Sequence, residues 1–189
     1  MPLSKPVARA AMHTRTIKYQ GYQREDGLWD IEGHLIDTKS YPISNKWRTT
    51  IAVGEPLHEM LVRITVDEKM EIHDVEAVTE NSPFAICPEI TPNYKALVGI
   101  VMGRGWRQKV RQKVGGVAGC THITELLFPM ATVAFQSMSP FRKRMEGRQN
   151  TEEGTEEKKR PVVLNTCHAW ATDSEVVKEH EPDFYTGAE

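Results

Sequence analysis

The chain has 189 residues, 39% of them hydrophobic and 26% charged, with a formal net charge of −2. These values are typical of a soluble globular domain, and they favour neither a nucleic acid nor a membrane surface as a partner. There is no apolar run of about 18 residues or more, so no membrane-spanning helix is expected. The N-terminus is too short and too polar for a secretory signal, and three cysteines do not indicate a disulfide framework. We therefore expect a cytoplasmic protein with free thiols.

The first half of the chain predicts two β-hairpins. Residues 1–13 contain two prolines and no periodicity, and we expect them to be a disordered lead. An Asp-Gly turn at Asp26 and Gly27 separates the first two strands, and a charged turn at residues 67–69 separates the second two. Residues 47–54 fit either an edge strand or a loop. The four hairpin strands are expected at residues 14–23, 28–37, 60–66 and 70–79.

Helical patterns dominate the next part of the chain. Prolines at positions 83, 88 and 92 should delay any helix until about residue 93. Residues 106–114 predict a short basic helix, and a long amphipathic helix follows the glycine-rich turn at residues 115–119. Thr121 is the expected N-cap of the long helix, Glu125 should lie in its first turn, and Pro129 should kink it or mark an irregularity.

The sequence therefore predicts an α+β fold. An antiparallel sheet of two hairpins, within residues 14–140, would pack against the long helix and the short basic helix. Residues 141–160 are almost purely charged and polar, which is typical of a flexible linker. Apolar residues resume at position 161, so residues 161–189 should form a C-terminal segment that returns to dock on the domain.

Two Cys/His clusters carry the most specific chemistry. Cys120 and His122 lie where the long helix begins, a setting in which thiols ionise more readily. Cys167 and His168 follow the charged segment. Cysteine and histidine are the preferred ligands of zinc, so Cys120, His122, Cys167 and His58 form a candidate metal site. The spacing does not match usual zinc motifs, and a thiol/imidazole catalytic set of Cys120, His122, His58, Cys167 and His168 is an equal alternative. A buried cysteine and a hydrogen-bonded histidine are the purely structural alternative.

The first hairpin carries candidate substrate-binding residues. Arg24 and Lys39 have the charge to hold a substrate carboxylate, with Asp26 beside them in the turn. Asp30 and Asp37 differ by seven positions in a strand and should face opposite sides, so they are not an obvious acid/base pair. A solvated hairpin with a salt bridge is the alternative reading of these charges.

Four segments together resemble a bacterial family of unknown function, domain-of-unknown-function family 2889. They are Y-Q-R-E-D-G-L-W-D-I-E-G-H-L-I-D-T-K, G-E-P-L-H-E-M-L-V-R-I-T-V-D, G-C-T-H-I-T-E-L-L and N-T-C-H-A-W. The resemblance implies that the segments belong to one unit, and it implies no activity. A fainter likeness, to iron–sulfur scaffold proteins of the NifU/IscU type, rests on a strand pair followed by a late cysteine before a long helix. It implies a similar fold, without the earlier cysteines of those proteins.

These observations lead to a functional hypothesis with two rivals. We expect a small-molecule enzyme, a lyase, isomerase or hydrolase acting on a carbonyl or aromatic compound, with a divalent metal such as zinc as a possible cofactor. The first rival is a non-enzymatic metal or iron–sulfur binding protein, and the second is a protein-interaction module that uses the hairpin. A homo-oligomer is compatible with each of them.

Overall fold

The structure is a computed structural model that describes residues 3–149 and 160–188. It divides into two compact units, Met1–Lys143 and Arg144–Glu189. Within its described residues, the first unit contains six strands and one complete α-helix, together with a 3-10 helix at Cys87–Leu97 and a short 3-10 turn at Gly116–Ala118. A second α-helix begins in this unit and continues past Lys143. The strands and α-helices are β1 (His13–Gln23), β2 (Trp29–Lys39), β3 (Ile43–Asn45), β4 (Thr49–Ile51), β5 (Pro56–Val66), β6 (Ile72–Asn81), α1 (Trp106–Val114) and α2 (Thr121–Gln149).

The two predicted hairpins form one antiparallel sheet with the strand order β1-β2-β5-β6. The first hairpin turns where expected, and Gly27 takes a positive φ of 87° that favours glycine. β5 begins at Pro56, four residues earlier than predicted, because it pairs with β2 as far as Thr38. The α+β class is confirmed.

One face of the sheet forms the core. β2 alternates strictly, so that Trp29, Ile31 and Leu35 are buried on that face. Apolar side chains of α1, α2 and the 3-10 helix pack with them in one cluster. α1 contributes Trp106, Val110 and Val114 along one side. The helices therefore pack on one face of the sheet.

Two local features differ from the expectations. The edge strand or loop expected at residues 47–54 contains the short strand β4, but its partner β3 was not predicted, and the two form a separate sheet. The 3-10 helix begins at Cys87, so the prolines do not delay helical structure until residue 93. Pro88 lies at the start of that helix, where a missing N–H costs nothing and its fixed φ is compatible.

The start of α2 differs in detail from the prediction. Thr121 is the first helical residue, not the cap, and consequently Glu125 lies beyond the first turn. The helix is continuous through Pro129 and extends to Gln149. Residues 141–149, assigned above to the linker, are thus helical, and residues 150–159 lie outside the described residues.

The second unit is small. It contains a 3-10 turn at His168–Trp170, the helix α3 (Glu175–His180) and a second 3-10 turn at Pro182–Phe184. The Ser174 side chain caps α3 by accepting a hydrogen bond from the Val177 N–H. Within the described residues of both units, no helix is long and apolar enough to cross a membrane.

Candidate functional site

A buried carboxylate lies at the end of β2. Asp37 lies an even number of residues from Trp29, Ile31 and Leu35, so its side chain points to the same face of the strand, which is the core face. The side chain is only 1% exposed. A buried carboxylate needs compensating partners, because it has lost its hydration. The groups around it come from β1, β5 and α2.

Strand register places two of these partners beside Asp37. Arg15 of β1 and His58 of β5 are both paired with Asp37 across the sheet, so the three residues form one row. The Arg15 guanidinium donates from Nε and Nη2 to the two carboxylate oxygens, at 2.7 and 2.8 Å. Its Nη1 donates to Glu125 of α2 at 2.8 Å. Such a bidentate arrangement fixes the carboxylate plane and anchors the helix to the sheet.

Three imidazoles complete the group, which we call the Asp37 cluster: His13, Arg15, Asp37, His58 and His122. His13 Nε2 lies 3.2 Å from Oδ1 of Asp37. His58 Nδ1 and His122 Nε2 lie 3.3 and 3.6 Å from Oδ2. The rings of His58 and His122 are stacked, with their centroids 3.8 Å apart and their planes 27° apart.

The environment determines the charge of each group. Burial raises the pKa of Asp37, but the hydrogen bonds and charge of Arg15 outweigh burial and hold that pKa below its usual value. Burial, together with the neighbouring His122, lowers the pKa of His58 to about 4. Burial, followed by the Arg15 charge, lowers the pKa of His122. Near neutral pH the cluster therefore presents an ionised carboxylate and two neutral imidazoles.

The three groups can hold a metal ion. Ligand atoms of Asp37, His58 and His122 all lie within 4.8 Å of one another. His58 Nδ1 is buried and has no hydrogen-bond partner, since its contact with Asp37 lacks hydrogen-bond geometry. A neutral imidazole nitrogen left free beside a carboxylate is the form that binds metal.

The turn before α2 positions His122 and Cys120. The Tyr94 hydroxyl accepts from the Cys120 N–H at 2.8 Å and contacts the Thr124 hydroxyl at 3.0 Å. Gly119 fits there because a Cβ would lie 2.1 Å from the Val114 carbonyl oxygen. Cys120 Sγ lies 3.8 Å from His122 Nδ1, so the thiol and Asp37 meet opposite nitrogens of one ring.

The proposed substrate-binding residues separate into two places. Arg24 and Asp26 pair with each other in the hairpin turn at 2.6 Å, at the other end of β2 from Asp37. Trp29 and Asp37 are about 27 Å apart along the strand at roughly 3.4 Å per residue. Lys39 lies two residues from Asp37, with its Nζ 5.8 Å from the centroid of the Tyr41 ring. Of the three, only Lys39 is near the cluster in the chain.

Cys167 and His168 belong to the second unit. Both are exposed, and they lie at the start of the 3-10 turn. Among the described residues, the metal-capable group comprises Asp37, His58 and His122. The joining of Cys167 or His168 with Cys120 stays a prediction.

Sequence reasoning placed His58, Cys120 and His122 in one site but did not include Asp37, Arg15 or His13. The signal for Asp37 was its parity with Trp29, Ile31 and Leu35, which assigns a carboxylate to a buried face. Arg15 and His13 gave no such signal. Their proximity to Asp37 depends on strand register, which only the structure defines.

The comparisons identify a family. The model of a protein family of unknown function (DUF2889) matches residues 13–136, more than half of the chain, and the chain belongs to this family. The matched segment begins at His13 and ends after His122, so it includes the whole Asp37 cluster. No curated protein and no solved structure matches the chain.

Proposed function

We propose that the protein is a small-molecule enzyme that binds one divalent transition-metal ion at Asp37, His58 and His122. The observation that carries the proposal is the buried Nδ1 of His58, which makes no hydrogen bond and lies 3.3 Å from the Asp37 carboxylate. Two imidazoles and one carboxylate suit zinc, iron(II) and related ions, whereas magnesium and calcium prefer oxygen ligands.

The number of ligands favours catalysis over a purely structural role. Structural zinc sites are closed by four protein ligands, whereas catalytic sites have three and an open position for water or substrate. His58 and His122 are also 17% and 22% exposed, so a small molecule has a route to them. A bound ion would polarise a substrate carbonyl or activate water, which fits a hydrolase, lyase or isomerase.

The other residues have supporting roles in this proposal. Arg15 holds both oxygens of Asp37 and so fixes the direction of the remaining lone pairs. Cys120 lies on the side of His122 away from Asp37 and orients the ring through Nδ1. Lys39, near the cluster in the chain, is the candidate to bind a substrate carboxylate.

The test is metal binding by matched variants. Titration calorimetry with Zn²⁺ should give one site for the natural chain and none for His58→Ala. His34→Ala is the control, because His34 lies on the opposite face of β2 and contacts Glu59 at 3.0 Å. If His58→Ala binds Zn²⁺ as tightly as His34→Ala, with both variants folded by circular dichroism, the metal site is not at this cluster.

A second candidate function is thiol catalysis without a metal. The observation that favours it is the line from Cys120 Sγ through His122 to Asp37, with separations of 3.8 and 3.6 Å. In such a set the imidazole takes the thiol proton and the thiolate attacks a carbonyl carbon. Iodoacetamide should then alkylate Cys120 faster than the exposed Cys167 at pH 7, and His122→Ala should abolish the difference. Equal rates in the natural chain would exclude this candidate.

The non-enzymatic rivals make different predictions. A metal-storage or metal-delivery protein would bind the ion without turning over any carbonyl compound. An iron–sulfur protein, the role suggested by the NifU/IscU likeness, would need cysteines. In the described part of the first unit these are Cys87 and Cys120, neither of which belongs to the metal-capable group. Visible absorption after anaerobic iron and sulfide loading distinguishes this rival from a mononuclear site.

A further inference from the structure

The helix α1 is built from a tandem repeat. After Trp106, residues 107–110 and 111–114 both read R-Q-K-V. A repeat of four residues nearly matches the helical turn of 3.6, so equivalent residues lie above one another. The two valines and Trp106 are buried against the core. The arginines, glutamines and lysines then form three separate rows on the rest of the helix surface.

Two of these rows place like charges side by side. Arg107 lies one turn before Arg111, and Lys109 lies one turn before Lys113, a spacing at which like charges repel. Within residues 3–139 and 160–188, none of the four forms an ion pair with a carboxylate. Residues 90–124 contain neither aspartate nor glutamate, and the nearby Glu125, which lines the same cavity as Arg111 and Phe128, is paired with Arg15. The surface is therefore complementary to an external polyanion.

A phenylalanine holds the two arginines in place. The guanidinium carbons of Arg107 and Arg111 lie 5.3 and 5.5 Å from the centroid of the Phe128 ring of α2. Both arginines are exposed, so part of each guanidinium group is accessible to a ligand although the group lies near the Phe128 ring. Guanidinium planes and aromatic rings are the groups on which proteins stack unpaired bases.

We propose that the exposed surface of α1, with Phe128, binds a single-stranded nucleic acid. Lys109, Lys113 and the two arginines would neutralise phosphates, the glutamines would hydrogen-bond sugar or phosphate, and the guanidinium planes would stack on bases. An acidic protein would satisfy the charges but would leave the stacking groups unused. This binding surface shares no residue with the Asp37 cluster, and its proposed chemistry does not depend on that of the cluster.

The first experiment measures the salt dependence of binding. Fluorescence anisotropy is recorded with labelled 20-nucleotide oligothymidylate and oligouridylate, which distinguishes DNA from RNA. With four phosphates neutralised, raising NaCl from about 50 to about 200 mM should weaken binding roughly 50-fold. The variant Lys109→Gln/Lys113→Gln should lose only about sevenfold over the same range, because about half of the counterion release is gone.

Control variants and a competitor make the result decisive. Lys18→Gln/Lys69→Gln removes the same charge from exposed positions outside α1 and should behave like the natural chain. The proposal is overturned if neither oligonucleotide binds at about 100 µM protein in low salt. It is also overturned if the control variant loses as much as the α1 variant, or if polyglutamate of equal length binds as tightly as the oligonucleotides, which would indicate an acidic protein partner.

A second variant isolates the stacking step. Arg107→Lys/Arg111→Lys keeps all four charges and removes the planar groups. Its salt dependence should equal that of the natural chain, while its affinity for oligothymidylate falls about tenfold. Unchanged affinity would overturn the stacking role, and a parallel measurement with an abasic phosphodiester should show no difference between the two proteins. Circular dichroism confirms that each variant is folded.

Discussion

At the scale of single residues, the central feature is a charge placed where the strand pattern calls for an apolar side chain. Asp37 shares its face with Trp29, Ile31 and Leu35. The Arg15 guanidinium compensates its burial, and three imidazoles lie around the rest of the carboxylate. The alternation of β2 alone therefore indicates that a carboxylate, Asp37, lies on the buried face of the strand. The alternation does not indicate its partners, because Arg15 and His58 are 22 and 21 positions away in the chain and meet Asp37 only through pairing.

Removing the Asp37 charge should destabilise the protein. Asp37→Asn loses the charge-assisted bonds from Arg15, and we expect the free energy of unfolding to fall by about 2 kcal/mol. Asp74→Asn is the matched control, since its pair with Lys95 is more than half exposed and should contribute under about 1 kcal/mol. Urea denaturation at pH 7 measures both. Equal losses would show that burial of Asp37 adds nothing.

The depressed pKa of His58 predicts a pH dependence of stability. The unfolded chain binds a proton at the imidazole near pH 6.5, whereas the folded chain binds it only near pH 4. The contribution of His58 to the free energy of unfolding is therefore fully present above about pH 6.5. It is lost as the pH falls toward 4, and the loss amounts to about 3 kcal/mol. The groups facing His58 are Asp37, Arg15 and His122. His122 acts in the same direction, because its pKa is also lowered.

The measurement is urea unfolding of metal-free protein from pH 7.5 to 4.5. His58→Gln should flatten the decline, because glutamine does not titrate, and His34→Gln on the opposite face of β2 should leave it unchanged. A decline that is as steep in His58→Gln as in the natural chain would assign the effect to other groups.

At the scale of elements, the elements that depend on local sequence were predicted from the sequence pattern. Both hairpins, the bounds of α1 and the presence of α2 follow from alternation, turn residues and helical periodicity. The short strand β3, and its pairing with β4, were missed because a three-residue strand is too short to show a period. The 3-10 helix was missed because prolines were read as breaks, although at a helix start they are compatible.

The turn between α1 and α2 positions the N-terminal end of α2, and it tolerates little extra volume. In Gly119→Ala the new Cβ would collide with the Val114 carbonyl oxygen at 2.1 Å and lie 2.9 Å from the Tyr94 hydroxyl. We expect a loss of about 2 kcal/mol in stability and weaker Zn²⁺ binding, because His122 follows this turn. Gly103→Ala is the control, with no contact closer than 3.9 Å. Unfolding and calorimetry of both variants decide whether the turn controls the site.

At the scale of the whole molecule, charge is divided unevenly between the two units. Residues 1–143 contain 18 Lys and Arg against 15 Asp and Glu, whereas residues 144–189 contain 6 against 11. The net charge of −2 is therefore the sum of a positive unit and a negative unit. For this reason the overall composition did not predict a polyanion as a partner. The local density of basic residues, not the net charge of the chain, identifies the surface of α1 as a candidate site for a polyanion.

Metal binding should also stabilise the first unit as a whole. An ion that binds the folded state alone adds about 2.7 kcal/mol at a free concentration of about 100 times its Kd. Trp29 and Trp106 are buried in this unit, so thermal unfolding followed by tryptophan fluorescence reports its stability. Zn²⁺ should raise the melting temperature of the natural chain and of His34→Ala. Zn²⁺ should not change the melting temperature of His58→Ala. A similar rise in the natural chain and in both variants would indicate adventitious binding.

The bond between Arg15 and Glu125 connects positions 110 residues apart in sequence, and the row through Arg15, Asp37 and His58 requires both hairpins to be paired. Contacts of such high sequence separation bear a large loop-closure entropy, so they form after local hairpins and helices. During refolding, the gain of strand and helix signal should consequently precede the recovery of ion affinity. In a newly made chain the Asp37 cluster can be completed only after His122 has been added and α2 has packed on the sheet.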